Sequence, residues 1–365
     1  MSDSSPPRSP GKPRHDVAMK RSRALALAVA LVAATTLASA SHRSAADLTS
    51  RLVDSLPLSA RGGGDPVPEA VLLAVHVRQS TNDTDSVERL AARAIADVDG
   101  RGLTFATRDG DVERRVVDAR VVFENDASAP LTFARLNDVL GLRESKITPE
   151  KLVEASRAAE RAHVGASFDV FSGVYGAAVK TTALRWLSQS ATHENAWVIE
   201  PDVAWTGEDW VSLFERYYDD GAVDVDLVTV NATIGDAKKM AKWPHYGSCE
   251  FCREGDGVWQ RAFLPVFRVS KRLATAVIDA LKNGTTGHHE AFIPTVCSRA
   301  EWCTWVTIKE TSAWFRYRPV LAEAEVGENG ARDKLYHPIK DPVVYRALRN
   351  ATSDEKDSLA IAATK

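Results

Sequence analysis

The sequence is poor in cysteine and methionine, and it has no excess of charge of one sign. It has 365 residues, of which 4 are cysteine and 3 are methionine, and its formal net charge at pH 7 is -3. A chain so close to neutrality lacks the basic balance of dedicated nucleic-acid binders, so we expect no nucleic acid as a partner. No internal repeat is visible, which argues against a solenoid.

Motifs that identify several common enzyme classes are also missing. The chain contains no G-x-x-x-x-G-K-[ST] phosphate loop, no G-x-S-x-G nucleophile elbow and no H-E-x-x-H helix. Their absence argues against a P-loop NTPase, an α/β hydrolase and a zincin, respectively. What is there is ordinary globular composition, with 44% hydrophobic and 26% charged residues. The length suffices for one large core or two modest domains.

The N-terminal part of the chain differs in composition from the rest. Residues 1–23 are rich in Ser, Pro, Lys and Arg, which predicts a disordered basic tail in the cytosol. Residues 24–40 are apolar and uncharged. They suit a signal anchor, which the basic tail favours, but a cleaved signal peptide ending in Ala38–Ala40 and a transit peptide are alternatives. Residues 41–66 are typical of a stem or linker.

Four N-x-[ST] sequons support entry into the secretory pathway. They begin at Asn82, Asn231, Asn283 and Asn350, and such sequons are glycosylation acceptors in secreted proteins. We therefore expect a single-pass type II protein of the Golgi or ER membrane, with its main domain in the lumen. Secretion after cleavage and a plastid location are the alternatives.

The four cysteines all lie beyond residue 240. An even, clustered set of this kind fits two disulfides in an oxidising compartment. A zinc site is the alternative, because Cys249 and Cys252 have the spacing of a ligand pair. Cys297 and Cys303 are spaced more widely than a usual second pair. The sequence leaves the connectivity open.

Apolar runs of strand length alternate with helical periodicities along the main part of the chain. This alternation predicts an α/β fold with a mainly parallel, mixed sheet flanked by helices, forming one domain over 67–340. We expect 341–365 to be a peripheral tail. The predicted strands are 69–77, 118–126, 195–203 and 224–232, and the predicted helices are 86–99, 148–163, 174–190, 207–220 and 270–284.

Two carboxylates stand at the end of one predicted strand, in the stretch "WVIEPDV" (197–203). Glu200 and Asp202 are two residues apart, so they would point to one side, at the edge of the sheet where ligands bind. Such a pair suits Mg²⁺ or Mn²⁺, which prefer oxygen ligands. The alternative is that these acids only stabilise the N-terminus of the following helix.

The stretch "WVIEPDVAWTGEDWVSLFERY" (197–217) resembles the acidic metal and nucleotide-sugar motif of GT-A-fold glycosyltransferases, in particular poorly characterised algal, fungal and bacterial types. The segment "GHHEAFIPTVC" (287–297) is similar to the acidic segment in the second half of that domain. The resemblance implies transfer of a sugar from a nucleotide-diphosphate donor to a glycan or glycoprotein acceptor, with Mn²⁺ or Mg²⁺ as cofactor. E-x-D in place of D-x-D is a departure that leaves metal dependence open.

The resemblance also implies roles for individual residues around the metal. Glu200 and Asp202 would hold the metal and the donor diphosphate, and Asp202 would take part in catalysis. His288 or His289 would be a further metal ligand or contact phosphate. Glu290 would be the general base of an inverting transfer, removing the proton of the acceptor hydroxyl.

The nucleotide pocket would lie where the first strand ends. The resemblance implies that its lining includes His76, Arg78 and Gln79. Lys180, in the helix before the acidic strand, could reach a phosphate, but a solvated helix face is the interpretation that its position favours.

Several aromatic and basic residues have a structural and a functional interpretation. Trp205, Trp210 and Trp243 could stack on a sugar ring, although core packing is the commoner role of tryptophan. Arg268 and Arg316 could contact phosphate or form surface salt bridges.

Two other hypotheses of function come from different classes. One is a non-catalytic carbohydrate-binding or scaffold protein on a degenerate GT-A-like fold, in which Glu200 and Asp202 would be dispensable. The other is a zinc-stabilised lumenal or plastid protein with Cys249 and Cys252 as ligands. The sequence does not specify an oligomeric state.

Overall fold

The structure is a computed structural model. It describes residues 67–75, 85–106, 112–124, 136, 140, 147–155, 177–219, 224–235, 243, 259–285 and 287–350. All of these lie in the compact unit Gly62–Lys365. The predicted tail, anchor and stem, the predicted nucleotide-pocket residues 76–79, and Cys249 and Cys252 lie outside the described residues. Within the described ranges, no helix is long and apolar enough to cross a membrane.

Eight of the described strands form the central sheet. They are β1 (Val67–Val75), β2 (Gly102–Ala106), β3 (Val112–Glu124), β4 (Leu152–Ala155), β5 (Asn195–Ile199), β7 (Leu227–Gly235), β8 (Trp259–Ser270) and β9 (Trp305–Thr307). The order is β2-β3-β1-β5-β8-β7-β9, and β4 pairs with β3. β1 is parallel to β3 and β5, whereas β8 is antiparallel to β5 and β7. The sheet is therefore mixed, as predicted.

Helices cover both faces of this sheet. The described helices are α1 (Val87–Ala96), α2 (Ala177–Gln189), α3 (Trp210–Asp219), α4 (Lys271–Lys282), α5 (His289–Arg299), α6 (Glu323–Asn329) and α7 (Pro342–Asn350). Alternate residues of a strand point to opposite faces. Val71 and Leu73 accordingly pack in one core cluster with α1 and α3, while Ala70 and Leu72 pack in another with α2, α4 and α5.

The helix predicted from Thr148 is wrong for residues 148–155. A single 3-10 turn, Pro149–Lys151, is followed directly by β4. Leu152 and Val153 pair in parallel with Val121 and Val122 of β3. The edge of β3 offers backbone partners that local helix propensity does not anticipate, and tertiary context of this kind overrides weak propensity.

A second, small sheet joins the C-terminal part of the unit to the region after β5. It has the order β10-β11-β6, formed by β6 (Ala204–Trp205), β10 (Thr311–Phe315) and β11 (Leu335–His337). β11 runs antiparallel to β6, with Tyr336 opposite Ala204. Beyond β11, the Ile339 N–H donates to the Asp202 carbonyl at 2.8 Å. These pairings place the end of β11 beside Asp202.

The segment after β11 is packed. Val344, Tyr345 and Leu348 of α7 are buried in a third core cluster with Tyr336 and Ile339. The packed unit therefore includes Pro342–Asn350, which the sequence analysis assigned to a peripheral tail.

One disulfide lies in the described part of the chain. It joins Cys297, near the end of α5, to Cys303. The structure thus assigns one of the pairings that the sequence left open. Three of the predicted sequon asparagines, Asn231, Asn283 and Asn350, are exposed, as glycosylation would require.

A buried cluster of charges links the central strands away from the carboxylate pair. Arg268, on β8, is 1% exposed, so the predicted phosphate contact or surface salt bridge is wrong for this residue. Its Nε donates to Glu69 Oε1 at 2.9 Å, and Arg115 Nη1 donates to Glu69 Oε2 at 2.7 Å. Burial raises the pKa of Glu69, but the two guanidinium groups and Tyr218 lower it by a larger amount. The net pKa of Glu69 therefore lies below its ordinary value.

We expect Glu69→Gln to destabilise the protein strongly. The variant would remove the carboxylate that pairs with the buried Arg268 and leave Arg115 with only the partly exposed Glu113, and breaking a buried ion pair costs about 3–5 kcal/mol in the free energy of unfolding. Urea unfolding of the full chain measures the loss. Glu113→Gln is the matched control, because Glu113 also pairs with Arg115 but its side chain is 30% exposed, and an exposed pair contributes about 1 kcal/mol or less. Equal losses in the two variants would contradict this account.

Candidate metal centre

Glu200 and Asp202 lie at the carboxyl end of β5. The Glu200 N–H donates to the Pro265 carbonyl at 2.8 Å, so Glu200 continues the pairing of β5 with β8. The Val203 N–H then donates to the Glu200 carbonyl at 3.1 Å and closes a turn around Pro201. Asp202 is 7% exposed. The turn therefore holds both carboxylates in place at the edge of the sheet where ligands of α/β proteins bind.

His337, at the end of β11, completes a group that could hold a metal ion. Its Nε2 lies 3.5 Å from Glu200 Oε2 and 3.5 Å from Asp202 Oδ2. One ligand atom from each of the three residues lies within 4.8 Å of the others. Sequence analysis missed His337. His337 stands at the end of a short apolar run, "LYH" before Pro338. A polar residue at the end of an apolar run is the same signal that identified Glu200 as a candidate.

The hydrogen bonding of His337 leaves Nε2 free to act as a ligand. Nδ1 lies 2.9 Å from the Arg316 carbonyl oxygen. A carbonyl oxygen only accepts, so Nδ1 carries the proton, and in the neutral ring the lone pair is on Nε2. Metal-ligating histidines are oriented in this way by a backbone or carboxylate acceptor. The Arg316 N–H also donates to the His337 carbonyl at 3.0 Å, which fixes the ring relative to β10.

Two lysines neutralise the carboxylate pair. Lys180 Nζ lies 2.6 Å from Glu200 Oε1, and the Lys340 ammonium contacts Asp202 Oδ2. Lys180 is 2% exposed, so its interpretation as part of a solvated helix face is wrong, because this face of α2 packs against the sheet. Burial raises the pKa of Glu200, but the Lys180 ammonium, together with His337 when its ring is protonated, lowers it by more, so the net pKa lies well below its ordinary value. Glu200 is therefore ionised.

The two histidines at the start of α5 make other contacts. His289 Nε2 lies 3.0 Å from Lys180 Nζ, and an ammonium group only donates, so that lone pair is already engaged. His288 is the N-cap of α5, where its Nδ1 accepts from the Glu290 N–H at 3.3 Å. His288 also packs edge-on against Trp243, with ring centres 5.1 Å apart. Neither ring is in the group formed by Glu200, Asp202 and His337.

The carboxyl of Glu290 interacts electrostatically with Glu200 and Lys180. Burial has the largest effect on the pKa of Glu290 and raises it, and the negative charge of Glu200 raises this pKa further. Lys180 and Arg261 lower the pKa in part, but the net shift is upward. A partly buried carboxyl with a raised pKa near an ionised acid is suited to exchange protons with a substrate.

The tryptophans named in the sequence analysis divide into core and site positions. Trp205 and Trp210 are 0% and 2% exposed and belong to the core cluster of α1 and α3. Trp243 is partly buried beside His288, with the Arg261 guanidinium 5.5 Å from its ring centre. Of the three, Trp243 is the one whose described contacts place it near the start of α5.

No protein-family model and no curated protein matches the sequence. Among solved structures, mouse xyloside xylosyltransferase 1 is 10% identical, with 75% of this chain and 97% of that chain covered and a TM-score of 0.37. Galactosyltransferase LgtC in complex with donor and acceptor sugar analogues is 9% identical, with 77% and 83% covered and a TM-score of 0.35. Both are glycosyltransferases, but a likeness this distant does not assign a function, which has to be argued from the site.

We expect His337→Gln to weaken Mn²⁺ binding by at least about tenfold, because loss of an oriented metal-site group has effects of this size. Titration of the full chain with Mn²⁺, followed by the electron paramagnetic resonance signal of the free ion, gives the affinity. The control is His288→Asn, which keeps an N-cap acceptor on α5 and removes one of the two candidate imidazoles at the start of that helix. A loss confined to His288→Asn would place the ion at the start of α5 instead.

Proposed function

We propose that the protein is a metal-dependent glycosyltransferase that moves a sugar from a nucleotide-diphosphate donor to a glycan or glycoprotein acceptor. The observation that carries the proposal is the convergence of Glu200, Asp202 and His337 at the carboxyl edge of the sheet. Exposed sequons at Asn231 and Asn283 support the further proposal that the domain works in the lumen of the secretory pathway.

The ligand atoms fit a manganese ion. A site made only of oxygens would suit Mg²⁺ or Mn²⁺ alike, whereas an imidazole nitrogen beside two carboxylates suits a softer ion than Mg²⁺. Mn²⁺ accepts both kinds of ligand. When bound by Glu200, Asp202 and His337, the ion would supply positive charge where a departing diphosphate becomes more negative.

The charge balance favours a diphosphate as the group bound there. Lys180 and Lys340 offset the charges of Glu200 and Asp202, so a divalent ion would leave the site with a net charge of about +2, which attracts an anion. Lys340 has a side chain that is 62% exposed and can turn from Asp202 to a phosphate oxygen. Lysine is a common phosphate ligand of this point-charge kind.

Glu290 is the residue that we propose as the general base. Its carboxylate would take the proton of an acceptor hydroxyl while that oxygen bonds to the anomeric carbon. The bond from that carbon to the diphosphate breaks on the opposite side, and the diphosphate leaves with the electron pair. This course inverts the anomeric configuration. The raised pKa of Glu290 brings the base closer to the neutral range where proton transfer is most effective.

Nucleotide binding tests the proposal directly. Thermal unfolding of the full chain would be followed with a panel of nucleoside diphosphates, with and without Mn²⁺. We expect one nucleotide to raise the melting temperature by about 2–4 °C in the presence of Mn²⁺, as binding that adds on the order of 1 kcal/mol or more does for a chain of this size. Asp202→Asn should abolish the shift, because Asp202 would hold the ion.

The matched control for this experiment is Asp341→Asn. Asp341 follows Lys340 and accepts from the Val343 N–H at 2.7 Å, a role that asparagine can keep. This variant should respond to the nucleotide like the wild type. The absence of a shift with every nucleotide in well-folded wild-type protein would refute the transferase and favour the non-catalytic scaffold.

We expect Glu290→Gln to lower kcat by about 10²–10⁴-fold while leaving Mn²⁺ and nucleotide binding intact. In the wild type the base must be ionised, so the rate should fall as the pH drops through the raised pKa of Glu290. That acid limb should be absent from the pH–rate profile of the variant. A variant that retained the wild-type kcat, or the same acid limb, would exclude Glu290 as the base.

A further inference from the structure

The segment 314–320 forms an exposed aromatic and basic surface next to His337. Arg316 is hydrogen-bonded to His337 through both its backbone groups. The chain then continues through Tyr317 and Arg318 to Val320, and the exposed fractions are 67% for Tyr317 and 40% for Val320. We call residues 314–320 the rim segment. Its position is fixed by the same hydrogen bonds that orient the metal-site imidazole.

The two arginines of the rim segment are held by aromatic rings. The Arg316 guanidinium lies 3.7 Å from the centre of the Trp314 ring, and that of Arg318 lies 5.4 Å from the centre of the Tyr317 ring. Arg316 Nε also donates to the Pro319 carbonyl at 3.4 Å. Within the part of the chain that the structure describes, neither guanidinium forms an ion pair. The rim segment therefore carries two positive charges with no acidic partner among the described residues, and its backbone is joined to the metal-site residue His337.

This combination of groups matches an anionic carbohydrate. A guanidinium that lies over an aromatic ring keeps its in-plane N–H groups for a carboxylate or sulfate, which it can bind through two parallel hydrogen bonds. An exposed aromatic ring such as that of Tyr317 offers an apolar face with a polar edge, which suits the C–H face of a pyranose. The whole chain has a net charge of -3, so the positive character of the rim segment is local.

We propose that the rim segment binds the acceptor, and that this acceptor is an acidic glycan with sulfate or carboxylate groups. This inference rests on the proposed transferase function. A donor diphosphate held by the metal would lie on the Nε2 side of His337, whereas Arg316 lies on the Nδ1 side. An acceptor seated on the rim segment would thus extend past the edge of the His337 ring towards the metal, with its charged groups on the arginines and its reacting hydroxyl at the donor.

An anionic membrane surface is the competing ligand for an exposed arginine, Arg318, and a half-buried one, Arg316, beside aromatic rings. Membrane binding by a peripheral element usually needs a large apolar face, as in an amphipathic helix. The rim segment contains one exposed aromatic residue, Tyr317, and its other aromatic rings are at least partly covered. The observations therefore favour the glycan.

Direct binding without a donor tests the inference. Isothermal titration of the full chain would use a chondroitin sulfate hexasaccharide, its desulfated form and neutral maltohexaose. We expect the sulfated sugar to bind at least about tenfold more tightly than the neutral one, because charge-assisted hydrogen bonds have effects of this order. Arg318→Gln should remove most of that preference, and Tyr317→Leu should weaken binding of all three sugars.

Arg93→Gln is the matched control, since it removes the same charge from an exposed position in the last turn of α1. An equal loss in Arg93→Gln and Arg318→Gln would overturn the inference, because it would indicate attraction by overall charge. So would binding of phosphatidylserine vesicles that depends on Arg318 without any binding of the sugars. The Mn²⁺ affinity of Arg318→Gln should equal that of the wild type. This result would show that the substitution leaves the metal centre intact.

The two proposals fail in different measurements. If no nucleoside diphosphate binds, the transferase function is refuted, and with it the role of the rim segment as an acceptor site. If a nucleotide binds but the sulfated and neutral sugars bind equally, the transferase stands and the acidic acceptor is refuted.

Discussion

The repulsion between Glu200 and Asp202 is the constraint around which the carboxyl edge of the sheet is organised. Two neighbouring carboxylates at the end of a buried strand are costly unless cations or hydrogen-bond donors surround them. The cations come from distant elements, Lys180 from α2 and Lys340 from the chain beyond β11. The charge pattern therefore becomes complete only when α2, β5 and the small sheet have packed together, and the stability of this edge is tied to the integrity of the site.

The features predicted from sequence are those determined by neighbouring residues. An apolar run that ends in Glu200 and Asp202 marks a strand end with charge at its edge, whatever the rest of the chain does. Likewise α4 begins after Ser270, whose side chain accepts from the Leu273 N–H, and ends at Lys282, with Asn283 as its C-cap and Gly284 following at φ +82°. Such caps satisfy backbone groups within a few residues. Alternation of strands and helices then predicted the mixed α/β sheet.

The features that could not be predicted depend on partners far along the chain. His337 meets Glu200 because β11 pairs with β6, a two-residue strand that carries almost no pattern of its own. Lys180 and Arg268 look like surface residues in sequence because lysine and arginine are rarely buried. Each is buried because a specific carboxylate, Glu200 or Glu69, compensates its charge. A charged residue inside an apolar run, such as Glu69, is the signal that a counter-charge must be sought elsewhere.

The electrostatics of the site also argue for chemistry rather than passive sugar binding. A neutral pyranose needs hydrogen bonds and an aromatic face, and neither requires two neighbouring carboxylates taken partly or wholly out of water, with their desolvation cost. That cost is understandable if the acids recruit a divalent ion, because the site then changes from a balanced charge to a positive one. Glu290 supports this interpretation, since a largely covered carboxyl with a raised pKa beside an ionised acid is suited to proton transfer, which passive sugar binding does not need. The charges around Lys180 therefore link the proposed metal centre and the proposed base in one functional unit.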